Sequence, residues 1–352
     1  MQSRTLTPDE AEAFGAELDA LRRATLADLG QRDVDHIRRI IRLVRYTEAS
    51  GRVLLHVGVG PFTFVAGVTA LGLSKILENM EVGHNVMHGQ YDWTHDRSLD
   101  SRTYEWDNAC DGGDWRHSHN YEHHTFTNVL GRDRDVGYGF LRVNARQPWQ
   151  LHHLAQPVTA AVLALLFQWG VALHDLRIDE VVTGRQTLRA LWSRSRPFLR
   201  KAAWQLGKDY VVFPALALGN APRVAAGNLL ANAARNLWTF GVIFCGHFPA
   251  GVRVYDVAET VAERRGEWYV RQLNGSANIE GGRALHVLTG HLSHQIEHHL
   301  FPDLPAARYP ELAPKVREIC ARFGQMYNTG SFASQLASVA HQLAVHALPT
   351  AA

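Results

Sequence analysis

Three long stretches of the chain are apolar and nearly free of charge, and polar segments separate them. Residues 53–74 and 147–173 contain no Lys, Arg, Asp or Glu, and residues 210–252 contain only Arg223 and Arg235. A charge-free run of about 20 residues is long enough to cross the hydrocarbon core of a bilayer as a helix. The pattern therefore predicts an all-α, polytopic membrane protein, with buried core helices of a large soluble protein as the alternative.

The polar segments predict further helices. Thr7 and Glu10 match a capping box with Pro8 at the first helical position, which predicts a helix to about residue 29. Residues 35–46 interleave isoleucines and arginines and predict a basic amphipathic helix, lying on a membrane surface or packed on the protein. The residues after Pro310 predict a helical tail.

Two turns are expected inside the apolar stretches. Gly60-Pro61 interrupts the first stretch, and residues 219–222 predict the turn of a helical hairpin within residues 210–252. The stretch 147–173 together with a two-pass hairpin makes three crossings. An even number is needed to keep the histidine clusters described below on one side, so one segment must be re-entrant or interfacial. We expect the hairpin to be the part that spans.

Composition excludes several classes of protein. A formal net charge of +2 over 352 residues gives no global electrostatic case for nucleic-acid binding. Three well-separated cysteines suit a reducing compartment and form no disulfide framework. The N-terminal residues have no early apolar run, so no cleavable signal peptide is predicted. The arginine-rich stretch 174–208 predicts a cytoplasmic loop by the positive-inside rule.

Histidines recur in three clusters with the same spacing. His119 and His123 are four residues apart, as are His294 and His298, and as are His84 and His88. Residues four apart share a helix face, so each pair can present two imidazoles in one direction. The adjacent residues His124 and His299 are rotated by roughly 100° and can reach a second ion beside the first.

Eight or nine clustered histidines exceed what one metal ion can hold, so the sequence predicts two ions. Imidazole suits iron, zinc, copper or nickel. Zinc transport sites lie among helices near the middle of the bilayer, whereas these clusters flank the apolar stretches. Two irons near a membrane surface suit oxygen activation beside a lipid chain. His247, at the end of the last apolar stretch, is a further candidate ligand, with a core histidine as the equal alternative.

The three clusters together resemble the histidine boxes of the integral-membrane fatty acid desaturase family. The residues that carry the resemblance are His-x3-His, His-x3-His-His and the closing Gln-Ile-Glu-His-His-Leu-Phe-Pro, within residues 50–315. The box His-Asn-Val-Met-His-Gly-Gln resembles the bacterial acyl desaturase branch. The resemblance implies a membrane helical fold whose cytoplasmic helical cap holds a di-iron site.

The resemblance also implies a set of metal ligands. Members of the family differ at the first position of box three, where this chain offers His294 or Gln295; His294 is favoured. Relatives place a further histidine beside an Asn-held water, and His247 is the candidate here, although Ile243 stands where the Asn would be. The predicted ligands are His84, His88, His119, His123, His124, His247, His294, His298 and His299.

Four carboxylates lie near the boxes in the sequence. Glu122 and Glu297 precede the two His-His pairs, where they either accept an imidazole N–H or lie solvated on a helix surface. Asp133 and Asp135 are interpreted as ordinary residues of a charged turn.

The predicted reaction is introduction of a double bond into a fatty acyl chain, with O2 and two electrons. A di-iron hydroxylase or epoxygenase is the alternative, and a histidine-rich metal transporter is a more distant one. The chain lacks a His-Pro-Gly-Gly cytochrome b5 signature, a cysteine set for an iron–sulfur cluster and a Gly-x-Gly-x-x-Gly loop. A separate ferredoxin- or rubredoxin-type donor with its reductase is therefore expected.

The acyl carrier is left open between coenzyme A, acyl carrier protein and a lipid. The expected location is the bacterial inner membrane, with the site on its cytoplasmic side and lipid as a partner. The expected division is 1–50 for N-terminal cytoplasmic or interfacial helices, 51–315 for the desaturase domain, and 316–352 for the tail.

Overall fold

The computed structural model describes residues 3–349, and they are mostly helical. The only strands within those residues are β1, Asn278–Glu280, and β2, Thr329–Ser331, which pair in parallel with Asn278 opposite Thr329. The all-α prediction is confirmed at this level.

The N-terminal helices follow the local sequence rules. Helix α1, Pro8–Ala27, begins at the capping box of Thr7 and Glu10, as predicted. Helix α2, Gln31–Val57, follows, and its Ile37, which is fully buried, packs on the protein core. The amphipathic stretch is therefore packed on the protein on its apolar side. Because α2 runs through residue 50, the expected domain boundary there lies inside a helix.

The first apolar stretch belongs to two helices. Helix α3, Gly60–Leu77, begins directly after the end of α2, and Gly60 has φ +74° at the turn. A Cβ on Gly58 would lie 2.2 Å from the carbonyl oxygen of Leu54. Glycine is therefore required at 58 by a close approach and favoured at 60 by the left-handed backbone. The two helices return as an antiparallel hairpin.

The segment between residues 78 and 182 consists of short helices and turns. Two π-helical turns, Glu78–His84 and Arg116–His123, interrupt it at histidine boxes one and two. The α-helices here are α4 (Asn85–Met87), α5 (Gly112–Trp115), α6 (His124–Phe126), α7 (Gln156–Leu165), α8 (Phe167–Asp175) and α9 (Ile178–Val182).

The basic stretch 174–208, expected to be a cytoplasmic loop, is mostly helical, and its position on the cytoplasmic side stays a prediction. Helix α10, Leu188–Gly207, exposes Trp192 and Trp204 among its arginines. It continues through a π-helical turn, Lys208–Val212, into α11, Phe213–Leu216. The chain then turns at Leu218–Asn220, close to the predicted turn, and α12, Ala221–His247, completes the hairpin.

Only part of the apolar sequence satisfies a length-and-hydropathy test for membrane spans. Within residues 3–349, a single continuous helix, Gly60–Met87, is both long enough and apolar enough to cross a membrane. Leu151–Leu165 and Phe167–Val182 pass together but meet at a 98° bend. The bend lies within the apolar stretch 147–173. This stretch is one of the three predicted crossings, of which one had to be re-entrant or interfacial. The hairpin 210–252, expected to span, does not pass; its α12 buries polar residues such as Asn228, Asn232 and Arg235.

The C-terminal part closes around the box-three helix. Its helices are α13 (Arg265–Asn274), α14 (Arg283–Leu288), α15 (Gln295–Leu300), α16 (Tyr309–Arg322) and α17 (Phe332–His346). Buried Phe14 of α1, Tyr269 of α13 and Ile296 of α15 belong to one apolar core. The expected boundary at 315/316 falls inside α16. This core holds box three against α1 and α13, and the histidines lie between it and the helical hairpins.

Candidate metal centre

The first histidine box lies where a helix changes its pitch. His84 ends the π-helical turn Glu78–His84, and the chain continues as α4 to His88. A π-helical turn, with its i to i+5 hydrogen bonds, shifts the register of the side chains that follow and is frequent at functional sites. The rings of His84 and His88 lie 4.5 Å apart between centroids, so box one presents both imidazoles to one region.

Boxes two and three converge on the same region. Box two lies on the π-helical turn Arg116–His123 and on α6, and the rings of His119 and His123 stack at 5.1 Å. Box three is the buried helix α15, on which His298 and His299 face different directions, with their rings at 84° to each other. His247, at the end of α12, lies 4.9 Å from the ring of His299.

The imidazoles form two adjoining groups. In each group, one possible ligand atom per residue lies within 4.8 Å of the others. The four-histidine group consists of His84, His88, His119 and His298, and the three-histidine group consists of His123, His247 and His299. His124 lies between them, with its ring 4.7 Å from those of His88 and His298 and 4.4 Å from that of His299.

Most of these histidines leave a buried nitrogen without a hydrogen bond among the described residues. A buried polar atom without a partner costs free energy, so such a concentration needs an explanation. Several neutral imidazole lone pairs converging in a buried space are the donor set of a transition-metal site, and the residues present fit such a metal. The atoms are Nε2 of His84, His88, His119, His298 and His299, both nitrogens of His124, and Nδ1 of His247.

The opposite nitrogens of four histidines are held by hydrogen bonds. Nδ1 of His84 lies 3.0 Å from Oδ1 of Asn85, and Nδ1 of His123 lies 3.0 Å from Oδ2 of Asp133. Nδ1 of His299 lies 2.9 Å from Oε1 of Gln272. These acceptors require a proton on Nδ1, which directs the lone pair of Nε2 into the histidine groups.

Nδ1 of His298 is held less tightly, 3.4 Å from the hydroxyl of Tyr309. That hydroxyl donates to the carbonyl oxygen of Phe301, and Gln90 donates to it in turn. The network joins the end of box one to the residues after box three. It therefore fixes the two boxes relative to each other.

Burial keeps the central imidazoles neutral. It lowers the pKa of His119, His124, His298 and His299 well below the usual value, and neighbouring imidazoles lower it further. Burial would also lower the pKa of His123, but Asp133 and Asp135 outweigh it and raise that pKa. Neutral imidazoles have the lone pairs that metal binding requires.

Comparison with known proteins agrees with this geometry. A family model described as fatty acid desaturase matches residues 60–331. The chain belongs to the fatty acid desaturase family.

Individual relatives cover most of the chain. It is 45% identical over 348 residues to the NADPH-dependent stearoyl-CoA 9-desaturase of Mycobacterium tuberculosis, covering 98% of this chain and 82% of that one. It is 28% identical over 279 residues to the sn-1 linoleoyl-lipid 6-desaturase of a Synechocystis strain, covering 74% of each. The predicted bacterial acyl desaturase branch and O2-dependent desaturase function are thereby confirmed, and the clustered histidines support a metal centre.

His294 is the one predicted ligand of this desaturase that the structure places elsewhere. Its ring contacts that of His286 at 4.5 Å, and it belongs to neither histidine group. The chain enters α15 only after His294, which has φ −106° and ψ +56°, so helical i, i+4 spacing from His298 does not apply. Gln295 lies nearer, with Nε2 2.9 Å from Nε2 of His247, and its buried Oε1 has no hydrogen-bond partner within residues 3–349. The structure thus brings Gln295, and not His294, next to the three-histidine group.

The carboxylate that contacts a predicted ligand through a hydrogen bond is Asp133, and not Glu122 or Glu297 as considered from the sequence. Asp133, interpreted as part of a charged turn, is 4% exposed, faces His123 and accepts from the backbone N–H of Asn128. Glu122 pairs with Arg177, and the imidazole nearest to it, 3.4 Å away, is that of His117, which is not a predicted ligand. Glu297 accepts from Tyr327 and Asn278, and its burial raises its pKa to about 7.

Sequence reasoning also missed Gln272 and Tyr309, because they lie outside the boxes. The one available signal for Asp133 was its position ten residues after His123, at a turn that follows the box-two helix. Such a turn is able to fold back on the box. Nothing local to Gln272 indicates its contact with residues of two distant segments.

A cavity borders the histidines on the side of α12. Its wall includes His84, His119, His123 and His247 and polar residues such as Asp135, Gln168 and Arg235. The apolar part is lined by Met80, Trp106, Trp115, Tyr138, Phe167, Val171, Ile243, Phe248 and Leu292. An apolar cavity beside a metal centre provides space for an acyl chain.

Proposed function

We propose that this desaturase introduces a double bond into a long saturated acyl chain carried by coenzyme A, at the ninth carbon. The supporting observation is the pair of adjoining histidine groups beside an apolar cavity. The relative from Mycobacterium tuberculosis named as a stearoyl-CoA 9-desaturase supplies the substrate class and position, because its 45% identity covers 98% of this chain.

The proposed metal ligands are the members of the two groups and His124. The four-histidine group would hold one iron and the three-histidine group the other, with His124 between them. When bound, the irons would supply O2 activation with two electrons, which removes two hydrogens from neighbouring methylenes. His294 is left out of the proposed set, and Gln295 replaces it as the box-three residue at the three-histidine group.

The chain's own residues would place the substrate and protect the site. The apolar wall of the cavity would align the acyl chain past His119 and His123 and exclude water from it. Asp133 and Gln272 would hold their histidines in the tautomer that turns Nε2 inward. Each of these roles rests on packing and hydrogen bonds that exist in the protein itself.

The electrons are proposed to come from outside the chain. The Mycobacterium relative is named NADPH-dependent. Since this chain has no Gly-x-Gly-x-x-Gly dinucleotide loop and no iron–sulfur cysteine set, a reductase and a ferredoxin- or rubredoxin-type carrier would link NADPH to it. Turnover by the purified protein with only NADPH and O2 would refute this part.

The proposed setting is a bacterial inner membrane. Gly60–Met87 would span it, and the bent pair of helices between 151 and 182 would be re-entrant. The histidine groups would then lie in a helical cap at the cytoplasmic ends of the spans. The desaturase domain was expected at residues 51–315. We place its boundaries at the nearest helix ends instead, between residues 57 and 60 and at residue 322.

The decisive experiment is a lipid profile of a host that expresses the chain with a matched donor. New chains unsaturated at the ninth carbon, absent with His123→Ala and His298→Ala, would support the proposal. A double bond at another carbon would overturn the position, and a mass gain of one oxygen would overturn the reaction in favour of hydroxylation. Elemental analysis that finds zinc and no iron would overturn the proposed metal.

A further inference from the structure

Gln272 lies outside all three histidine boxes, yet its side chain bonds to two of them. It is fully buried on α13. Its Oε1 accepts from Nδ1 of His299 at 2.9 Å and from the hydroxyl of Thr127 at 2.8 Å, and its Nε2 donates to the carbonyl oxygen of His124 at 3.0 Å. One amide therefore connects box three with the end of box two.

The amide has only one orientation that satisfies these contacts. Reversing it would bring its oxygen against the carbonyl oxygen of His124, and neither oxygen could donate. Because Oε1 can only accept, His299 must carry its proton on Nδ1. Its buried Nε2, which has no hydrogen-bond partner among the described residues, then has its lone pair free on the side of the histidine groups.

The helix that carries Gln272 is itself firmly anchored. The neighbouring Arg271 donates to the carbonyl oxygens of Thr125 and Thr127 and pairs with Glu263. On the same helix, Tyr269 and Leu273 are buried in the apolar core that includes Ile296 of the box-three helix. The position of Gln272 is thus fixed by the rest of its helix, independently of the histidines. Its hydrogen bonds can therefore hold the histidines in place.

We propose that Gln272 is a positioning residue for the metal centre: it fixes the tautomer and ring orientation of His299 and sets box two against box three. Hydrogen-bond partners of this kind typically account for about 10–100-fold in metal affinity. The inference concerns the three-histidine group most directly, because His299 belongs to it. It rests on the proposed iron centre.

The chain provides a matched control. Gln156 is also fully buried and makes three hydrogen bonds, to the backbone N–H and carbonyl of Arg142 and to the carbonyl oxygen of Leu343. None of them reaches a histidine. Gln156→Leu and Gln272→Leu therefore remove the same amide from equally buried positions. They differ in that only Gln272→Leu also breaks contacts with the histidine boxes.

The test compares the full-length wild type, Gln272→Leu, Gln272→Glu and Gln156→Leu, each purified with iron. We expect Gln272→Leu to release iron at a chelator concentration about 10–100-fold lower than the wild type does and to alter the Mössbauer spectrum of one iron. Its kcat should fall more than its KM rises. Gln156→Leu should lower thermal stability but keep the wild-type iron affinity and spectrum, and Gln272→Glu, which retains the acceptor for His299, should recover part of the affinity.

Each outcome decides a different point. A wild type that binds no iron would overturn the proposed function. A wild type that binds iron, with Gln272→Leu and Gln156→Leu equal in iron affinity and spectrum, would overturn the role of Gln272 alone. Where Gln272→Leu does not fold, Gln272→Met, which keeps the length of the side chain but has no amide, decides instead: an altered iron spectrum supports the role, and an unchanged one overturns it.

Discussion

The two histidine groups differ in what stands behind their imidazoles. The hydrogen-bond partners behind the four-histidine group are neutral, the amide oxygen of Asn85 and the hydroxyl of Tyr309, and the Asp135 carboxylate lies farther away, 3.7 Å from Nδ1 of His119. Behind the three-histidine group are a carboxylate, Asp133, and the amide oxygen of Gln272, whereas Gln295 turns its NH2 toward Nε2 of His247. A carboxylate behind an imidazole increases the basicity of the ligand. The three-histidine group thus has a charged acceptor in direct hydrogen-bond contact with one of its imidazoles.

The largest expected effect comes from removing one histidine of each group. His298→Ala and His123→Ala should each lower desaturation at least about 100-fold, because two cooperating irons would need both groups intact. His294→Ala is the matched control and should stay within a few fold of the wild type, since His294 contacts His286 outside the groups. Product formation in an expressing host measures all three. Equal losses in the three variants would contradict the assignment of Gln295 to the centre.

Removing the metal should destabilise both groups together. Metal bound to the folded state alone contributes about 4 kcal/mol at 1,000 times its Kd. The metal-free protein, with its many unpaired imidazole nitrogens, should therefore unfold at a clearly lower temperature than the loaded protein. Thermal unfolding before and after chelation measures this, with iron re-addition as the control. An unchanged unfolding temperature would show that the groups are stable without metal.

The difference in charge between the groups can be tested at their supporting residues. Asp133→Asn keeps the shape but removes the charge beside His123, so iron affinity should fall about 10-fold or more. Asn85→Ser, at the four-histidine group, should cost less because Asn85 is neutral. Chelator titration of the iron-loaded proteins compares them. A larger loss in Asn85→Ser would reverse the proposed ranking of the groups.

The smallest expected effect is at Gln295. Gln295→Met keeps a similar volume but loses the amide beside His247, and activity should fall several-fold with iron content nearly unchanged. Gln295→Glu restores an oxygen and should lose less. Activity per bound iron measures the difference. Full activity in Gln295→Met would show that the amide of Gln295 has no role in activity at the three-histidine group.

The sequence alone determined those features of this protein that depend on residues close together in the chain. The capping box of Thr7 and Glu10 starts α1 where it was predicted, and the turn near residue 219 lies within the predicted hairpin. The spacing of the histidines was enough to indicate the metal centre, because i, i+4 pairs are a local property of helices. The strong match of three such boxes also led to the family.

Tertiary structure alone decided which atoms meet. Two π-helical turns change the register of boxes one and two, and the non-helical backbone at His294 leaves that residue outside both histidine groups. Asp133, Gln272 and Tyr309 gain their roles through contacts between segments distant in the chain, or through a turn that folds back. Such contacts depend on how the helices pack, because no periodicity within a segment records which other segment it will touch.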